Sequence, residues 1–145
     1  MLKIIRAKFH GIFVTGADLN YHGSITLDPI QCEILKIYPL EFVEIWNKNN
    51  GARFSTYVIY GEAYSGCCIL NGAAARKCQK EDELIIGAYK FCQEQEIKNE
   101  APKILTFNKD NTIKSILEYN VKEHGNWYKF SIDDITLQST MLLSF

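Results

Sequence analysis

A chain of 145 residues, 47% of them hydrophobic, is long enough to bury a core, and we expect one domain over residues 1–145. Its 16 Lys and Arg nearly balance its 17 Asp and Glu, so a nucleic-acid partner is not expected. No apolar run approaches the roughly 20 residues that cross a membrane, and the apolar start is too short for a signal peptide, so we expect a cytoplasmic protein with no membrane partner.

The first half of the chain is predicted to form short strands and one short helix. On the first strand, Lys8, His10 and Ile12 share one face, and their mixed chemistry is unusual for a plain core strand. The dipeptide Asp28-Pro29 is typical of a helix start. The predicted elements, in chain order, are the strand 4–14, the turn 15–18, the strand 24–28, the helix 30–37, the strand 42–47, the turn 49–51 and the strand 54–60.

The second half continues the β pattern and ends in a tail whose structure is less clear. We expect strands at 67–70, 83–91 and 103–107, with a helical turn at 73–75. In the tail Tyr128, Phe130 and Ile132 alternate, and residues 141–143 add apolar bulk, so the tail is expected to add a strand or to cover part of the surface. Many short strands linked by turns favour a mainly β fold closed into a barrel, which removes exposed sheet edges.

The cysteines give no sign of a metal site or a disulfide framework. Their number is odd, no two of them form a C-x-x-C pair, and no histidine has zinc-ligand spacing to them. We therefore expect reduced, mostly buried thiols and no metal. The five are Cys32, Cys67, Cys68, Cys78 and Cys92.

Three short segments carry the chemical signal. They are Tyr21-His22-Gly23-Ser24, the run 53–57 (Arg-Phe-Ser-Thr-Tyr) and the run 71–75 (Asn-Gly-Ala-Ala-Ala), with Lys8 and His10 upstream. In order and spacing they resemble the pyruvoyl-dependent aspartate α-decarboxylases over residues 3–114. The resemblance implies a double-psi β-barrel with small helices, and a homotetramer with sites between neighbouring subunits. It also implies self-cleavage into a β-chain of residues 1–23 and an α-chain of residues 24–145.

The same resemblance implies how the cofactor arises and what it does. The Ser24 hydroxyl would attack the Gly23 carbonyl, and the resulting ester would eliminate, so that Ser24 becomes a covalent pyruvoyl group. Glycine before the serine tolerates strained angles and close approach. L-Aspartate would form a Schiff base with the pyruvoyl ketone and lose its α-carboxylate as carbon dioxide. The product would be β-alanine, which supplies pantothenate and coenzyme A.

Roles for further residues follow from the resemblance. Thr56 would stabilise the oxyanion during self-processing, and Tyr57 would return the proton to Cα. Arg53 and Lys8 would hold the two substrate carboxylates, without an assignment of which holds which. The remaining expected site residues are Gly72, Ala73 and Ala74, which bring backbone close to the substrate, and the supporting residues His10, Tyr21, Trp46 and Asn71. Taken singly, each of these residues also has an ordinary structural explanation.

Two departures from the family pattern flank the cleavage bond. His22 stands where an acidic residue is expected, and Ile25 where a small residue is common. Both bear on the rate of self-cleavage, which proceeds either unaided or with a maturation factor. Three alternatives remain open: a non-enzymatic double-psi barrel that binds a partner, a pyruvoyl decarboxylase of another amino acid such as glutamate, and a hydrolase with Ser24 as nucleophile.

Overall fold

Ten strands make up most of residues 1–139, the part of the chain that the computed structural model describes. In chain order they are β1 Leu2–Phe13, β2 Gly16–Asp18, β3 Ser24–Leu27, β4 Phe42–Asn47, β5 Arg53–Tyr60, β6 Cys68–Asn71, β7 Glu83–Cys92, β8 Lys103–Phe107, β9 Ile113–His124 and β10 Trp127–Asp134. The same residues also contain one α-helix, α1 Pro29–Leu35, and three separate 3₁₀-helices, at Gly72–Arg76, Glu94–Asn99 and Thr136–Ser139. The predicted mainly β class is confirmed.

The sheet closes on itself through the first two strands. The strand order is β10-β9-β8-β1-β7-β4-β5-β3-β6-β2, and β1 runs through Val14 and Thr15 directly into β2 at the other end of that order. Six positions therefore form a ring, β1/β2-β7-β4-β5-β3-β6, in which β1 and β5 lie on opposite sides. Three parallel pairs, β1 with β8, β2 with β6 and β3 with β5, interrupt the antiparallel pattern. This arrangement agrees with the barrel expected from the sequence.

Alternation along β1 separates the core of the barrel from its outer face. Ala7 and Phe9 are buried, whereas Lys8 and His10 between them stay half-exposed. The pairing with β7 shifts between His10 and Ile12, where Gly11 has a φ of 86°. This bulge turns Ile12 into the core, where it is 0% exposed. The expectation that Ile12 shares the face of Lys8 and His10 is therefore wrong.

Helix α1 begins as the sequence predicts and ends earlier. Asp28 is the N-cap and accepts the backbone N–H of Ile30 at 2.9 Å, with Pro29 in the first turn. The helix ends because Lys36 takes a left-handed φ of 56°, so the predicted end at residue 37 lies too far along. The predicted turn 15–18 is also wrong, since its last three residues form β2 against β6.

The tail adds two strands to the edge of the sheet. β9 pairs with β8, and β10 folds back on β9 through the two-residue turn Gly125-Asn126. The apolar residues 141–143 noted in the sequence lie outside the described residues. Within residues 1–139 no helix is long and apolar enough to cross a membrane.

Candidate functional site

Ser24 opens β3 and is fully buried. Its hydroxyl donates to the backbone carbonyl of His22 at 3.0 Å and accepts from Nδ2 of Asn71 at 2.9 Å. The same Asn71 amide donates to the hydroxyl of Thr26 at 2.8 Å. Asn71 sits opposite Ser24 because β3 and β6 pair antiparallel in that register. The serine oxygen is therefore held by a buried amide, a condition that favours one defined hydroxyl orientation.

The cleavage loop lies directly against residue 72. A Cβ built at Gly72 would come within 2.7 Å of the Gly23 Cα and 3.1 Å of the Tyr21 carbonyl oxygen. Gly72 also has a φ of 61°, which side chains rarely adopt. Only glycine lets the Gly23-Ser24 segment pass this close. We call the cluster of Gly23, Ser24, Thr26, Asn71 and Gly72 the cleavage cluster.

Thr56 and Tyr57 lie on β5, which pairs in parallel with β3. The pairing begins at Ile25 with Val58, so Tyr57 directly precedes the paired part of β5, as Ser24 directly precedes that of β3. Both β5 side chains are half-buried. The roles expected for them thus remain predictions, and their places in the sheet are compatible with those roles.

The predicted substrate cations lie on the outer face of the sheet. In one cross-strand row, β1, β7, β4 and β5 contribute His10, Ile85, Trp46 and Arg53. The guanidinium of Arg53 stacks over the Trp46 ring at 4.8 Å. Lys8 occupies the adjacent row, two residues before His10 on the same face. We call Lys8, His10, Trp46 and Arg53 the cationic face.

A small cavity of about 280 Å³ opens beside Arg53 and Trp46 on this face, lined also by Glu44, Phe54 and Ser55. A cavity of about 640 Å³ lies elsewhere, between Val14 and Lys80, and none of the predicted site residues line it. We therefore locate the site by the residues predicted to bind substrate and not by the volume of the cavity. The polar cavity beside Arg53 is large enough for a small amino acid.

His10 is held in its neutral form by its surroundings. Burial lowers its pKa first, and the neighbouring charges of Lys8 and Lys48 lower it further, with partial compensation from Glu83. Its buried Nδ1 has no hydrogen-bond partner within the described residues. His10 thus presents an unpaired ring nitrogen close to a predicted substrate cation.

The structure does not bring the cleavage cluster and the cationic face together within one chain. Lys8 lies on the outer face of β1, whereas the cluster residues Ser24 and Asn71 lie opposite each other on β3 and β6, where Asn71 pairs with Asp18 of β2. Asp18 is ten residues beyond Lys8, which at about 3.3 Å per residue is roughly 30 Å of extended chain. Arg53 lies four residues before Tyr57 on β5, which at about 3.3 Å per residue is roughly 13 Å along the strand. A single chain therefore displays two halves of the predicted site.

The remaining predicted residues border the cleavage loop. Ala73 is exposed, while Ala74 is buried. Tyr21 is exposed, and its backbone N–H donates to the Asp18 carbonyl. The sequence analysis did not single out Thr26, which accepts a hydrogen bond from Asn71, or Tyr119, which accepts one from Lys8. Thr26 could have been found as the same-face neighbour of Ser24 on a strand.

The cleavage cluster fits a pyruvoyl group formed at residue 24. The serine oxygen already has a fixed amide donor, and glycine at position 72 leaves the space that a Cβ would fill. Among residues 1–139 no three His, Cys, Asp or Glu side chains converge as metal ligands.

Comparison with known sequences identifies one family. The family described as Aspartate decarboxylase matches residues 1–114. The match ends just after β9 begins, so most of the β9–β10 hairpin lies beyond it.

Relatives in three bacteria carry the name Aspartate 1-decarboxylase. The protein of Agrobacterium fabrum (strain C58) is 59% identical over 123 residues, which cover 85% of this chain and 79% of the relative. That of Rhodospirillum centenum is 57% identical over 137 residues, covering 94% and 90%. That of Paramagnetospirillum magneticum is 60% identical over 136 residues, covering 92% and 76%.

Proposed function

The chain belongs to the aspartate decarboxylase family, and on that premise we propose that it converts L-aspartate to β-alanine and carbon dioxide at a pyruvoyl group made from Ser24. It is then a carbon–carbon lyase whose product supplies pantothenate and coenzyme A. The observation that carries the proposal is the buried Ser24 hydroxyl, held by Asn71 against a loop that only Gly72 accommodates.

We propose that maturation uses groups already in the cleavage cluster. The Ser24 oxygen attacks the Gly23 carbonyl carbon, the peptide C–N bond breaks, and the nitrogen takes the hydroxyl proton. Thr56, on β5 two residues before its first pair with β3, donates to the oxyanion that forms during this shift. Elimination then removes the Cα proton of residue 24 and breaks its Cβ–O bond, which releases residues 1–23 with a Gly23 carboxylate and leaves dehydroalanine. Water adds to the imine form of that residue and ammonia leaves, which gives residues 24–145 their pyruvoyl end.

The pyruvoyl group supplies a ketone that condenses with the substrate amine and accepts the electron pair left by decarboxylation. The chain's own residues bind and orient the substrate. L-Aspartate carries two carboxylates, and Lys8 and Arg53 offer two cations for them. The Arg53 guanidinium lies over the Trp46 ring, and its planar fork of N–H donors suits a two-pronged carboxylate contact. Tyr57, the residue directly before the paired part of β5, returns the proton to Cα.

We propose a homotetramer in which each site combines the cleavage cluster of one subunit with the cationic face of a neighbour. Support comes from the separation along the chain between Lys8 on β1 and the cleavage cluster, whose Asn71 pairs with Asp18 of β2. Further support comes from large apolar side chains that one chain leaves exposed; four of them are Tyr38, Leu40, Phe42 and Phe91. A second subunit would bury such side chains and bring Lys8 within reach of a neighbouring residue 24.

An intact-mass spectrum of the denatured protein tests this function. We expect two chains divided between Gly23 and Ser24, with the larger one lighter than simple hydrolysis predicts by the mass of ammonia. The Ser24→Ala variant should give one full-length mass and no β-alanine from L-aspartate, because no hydroxyl can attack Gly23. Turnover by that variant would refute the mechanism, and equal turnover of L-glutamate would refute the substrate.

A further inference from the structure

Tyr119 joins the C-terminal hairpin to the predicted substrate cation. The Lys8 ammonium donates to the Tyr119 hydroxyl at 2.6 Å and lies 5.0 Å from the centre of its ring. The backbone N–H of Tyr119 donates to the Pro102 carbonyl at 2.9 Å. Its ring packs edge-to-face against Phe130 of β10 at 5.3 Å. Both strands of the hairpin thus fix the phenol against Lys8.

Lys8 stands apart from the other half-buried cations. Within residues 1–139 three Lys or Arg residues are half-buried, namely Arg6, Lys8 and Lys90. Arg6 pairs with Glu41 and Lys90 with Glu100, but Lys8 has no carboxylate within ion-pair distance in this part of the chain. An ammonium has three N–H donors, and Tyr119 takes one of them. The other two and the whole charge remain for an anion.

We propose that Tyr119 is a positioning residue that holds the Lys8 ammonium in place for a carboxylate of the substrate. The inference rests on the proposed function, in which Lys8 binds substrate. A free lysine head on a four-carbon stem samples many rotamers and must be ordered when a ligand binds. The phenol oxygen and the ring face restrain it beforehand without neutralising its charge. The β9–β10 hairpin, most of it beyond the family match, is then a wall of the active site.

Tyr119→Phe tests this role, because it removes only the oxygen and keeps the ring over Lys8 and against Phe130. We expect complete cleavage at Gly23-Ser24, a KM for L-aspartate raised about five- to tenfold, and a kcat within about twofold of the parent. The inhibition constant of succinate should rise by the same factor, since this dicarboxylate binds without reacting. Tyr128→Phe, at an exposed tyrosine of the same hairpin, is the matched control and should change neither constant.

Lys8→Met separates this inference from the proposed function. Unchanged KM in Lys8→Met would remove Lys8 from the site, and with it the premise for Tyr119. A raised KM in Lys8→Met together with an unchanged or lowered KM in Tyr119→Phe would overturn the positioning role and leave the function standing. If Lys8→Met stays uncleaved, Lys8→Arg replaces it.

The double variant completes the test. If Tyr119 acts through Lys8, adding Tyr119→Phe to the Lys8 variant should not raise KM further. Full additivity of the two effects would show that Tyr119 acts elsewhere and would overturn the inference.

Discussion

At the scale of single residues, the cleavage cluster depends both on the hydrogen bond from Asn71 to Ser24 and on the lack of a side chain at Gly72. The Ser24 hydroxyl is held by the Asn71 amide, and the Gly23-Ser24 peptide that it attacks in the proposed maturation fits there because residue 72 has no side chain. Glycine adopts the φ of 61° at residue 72 without strain, whereas other residues rarely do. The precursor loop is therefore expected to be sensitive to the addition of a single methyl group.

Gly72→Ala should slow self-cleavage. The added Cβ would meet the Gly23 Cα at 2.7 Å and force an unfavourable positive φ, so the loop must move. If this strain of roughly 1–3 kcal/mol adds to the barrier, cleavage slows by about five- to 150-fold. The measurement is a time course of intact masses after purification. Gly125→Ala has the same φ of 61° but nothing within 4 Å of its Cβ. Equal cleavage rates in the two variants would show that the contact with Gly23 does not matter.

His10 should make folding stability depend on pH. Its folded-state pKa is lowered by burial and by Lys8 and Lys48, so the unfolded chain takes up a proton first as the pH falls. The stabilisation is complete above the unfolded pKa of about 6.5 and decreases as the pH drops below it. Thermal unfolding at pH 7.5 and 5.5 measures this. The Tm of His10→Asn should differ less between these two pH values than the Tm of the parent. His124→Asn, at the exposed hairpin end, should show the same Tm difference as the parent.

Site residues in segments typical of the family could be predicted from the sequence, whereas a contact between residues distant in the chain could not. Ser24, Asn71 and Gly72 sit in short segments whose order is characteristic of one family, so their grouping could be predicted. The partner of Lys8 could not, because Tyr119 is 111 residues away and lies beyond the family match. No local pattern indicates which side chain a hairpin will lay over a lysine on another strand.

At the scale of elements, one buried asparagine connects four parts of the barrel. The Asn111 amide donates to the carbonyls of Phe13 and Gly66 at 2.7 and 2.8 Å, and its oxygen accepts the Phe13 N–H at 2.9 Å. The backbone carbonyl of Asn111 accepts from the Gln31 side-chain amide at 2.7 Å. The end of β1, the loop before β6, helix α1 and the β8–β9 turn are thereby held together.

Asn111→Gly should lower the free energy of unfolding by about 2–4 kcal/mol, since three side-chain hydrogen bonds are lost and buried backbone groups are left without partners. Glycine still accepts the φ of 63° found there, so backbone strain does not add to the loss. Denaturant unfolding at one protein concentration measures it. Asn108→Gly, at an exposed residue of the same turn with one bond to Thr112, should cost less than about 1 kcal/mol. Equal losses would mean that Asn111 is not a structural link.

Element prediction worked where the signal was local and failed where a distant partner makes the element. The Asp28 cap and Pro29 mark the start of α1 in the sequence itself. β2, by contrast, has three residues beginning with Gly16, too few for alternation, and exists because β6 pairs with it in parallel. Likewise the Gly11 bulge that turns Ile12 inward depends on register with β7.

At the scale of the whole molecule, the ring of strands keeps the two halves of the proposed site apart. β1 with Lys8 and β5 with Tyr57 lie on opposite sides, and both side chains belong to the outer face. No rotation of side chains closes this separation. If one carboxylate of the substrate binds Lys8 while its amine meets residue 24, these two groups come from different subunits. The family resemblance implies such a shared site, but the residues alone could not predict it, because it depends on how the barrel closes.

Two impaired variants should therefore regain activity when they assemble together, assayed at an L-aspartate concentration well below the raised KM of Lys8→Met. Lys8→Met lacks the cation and Ser24→Ala lacks the cofactor precursor, yet a mixed oligomer contains sites that take Ser24 from the first chain and Lys8 from the second. With random assembly at equal amounts, about a quarter of the sites should be complete. The chains are co-expressed with different tags and purified through both, and β-alanine formation is compared with each variant alone. Activity no higher than that of the single variants would place Lys8 and Ser24 of one site in the same chain.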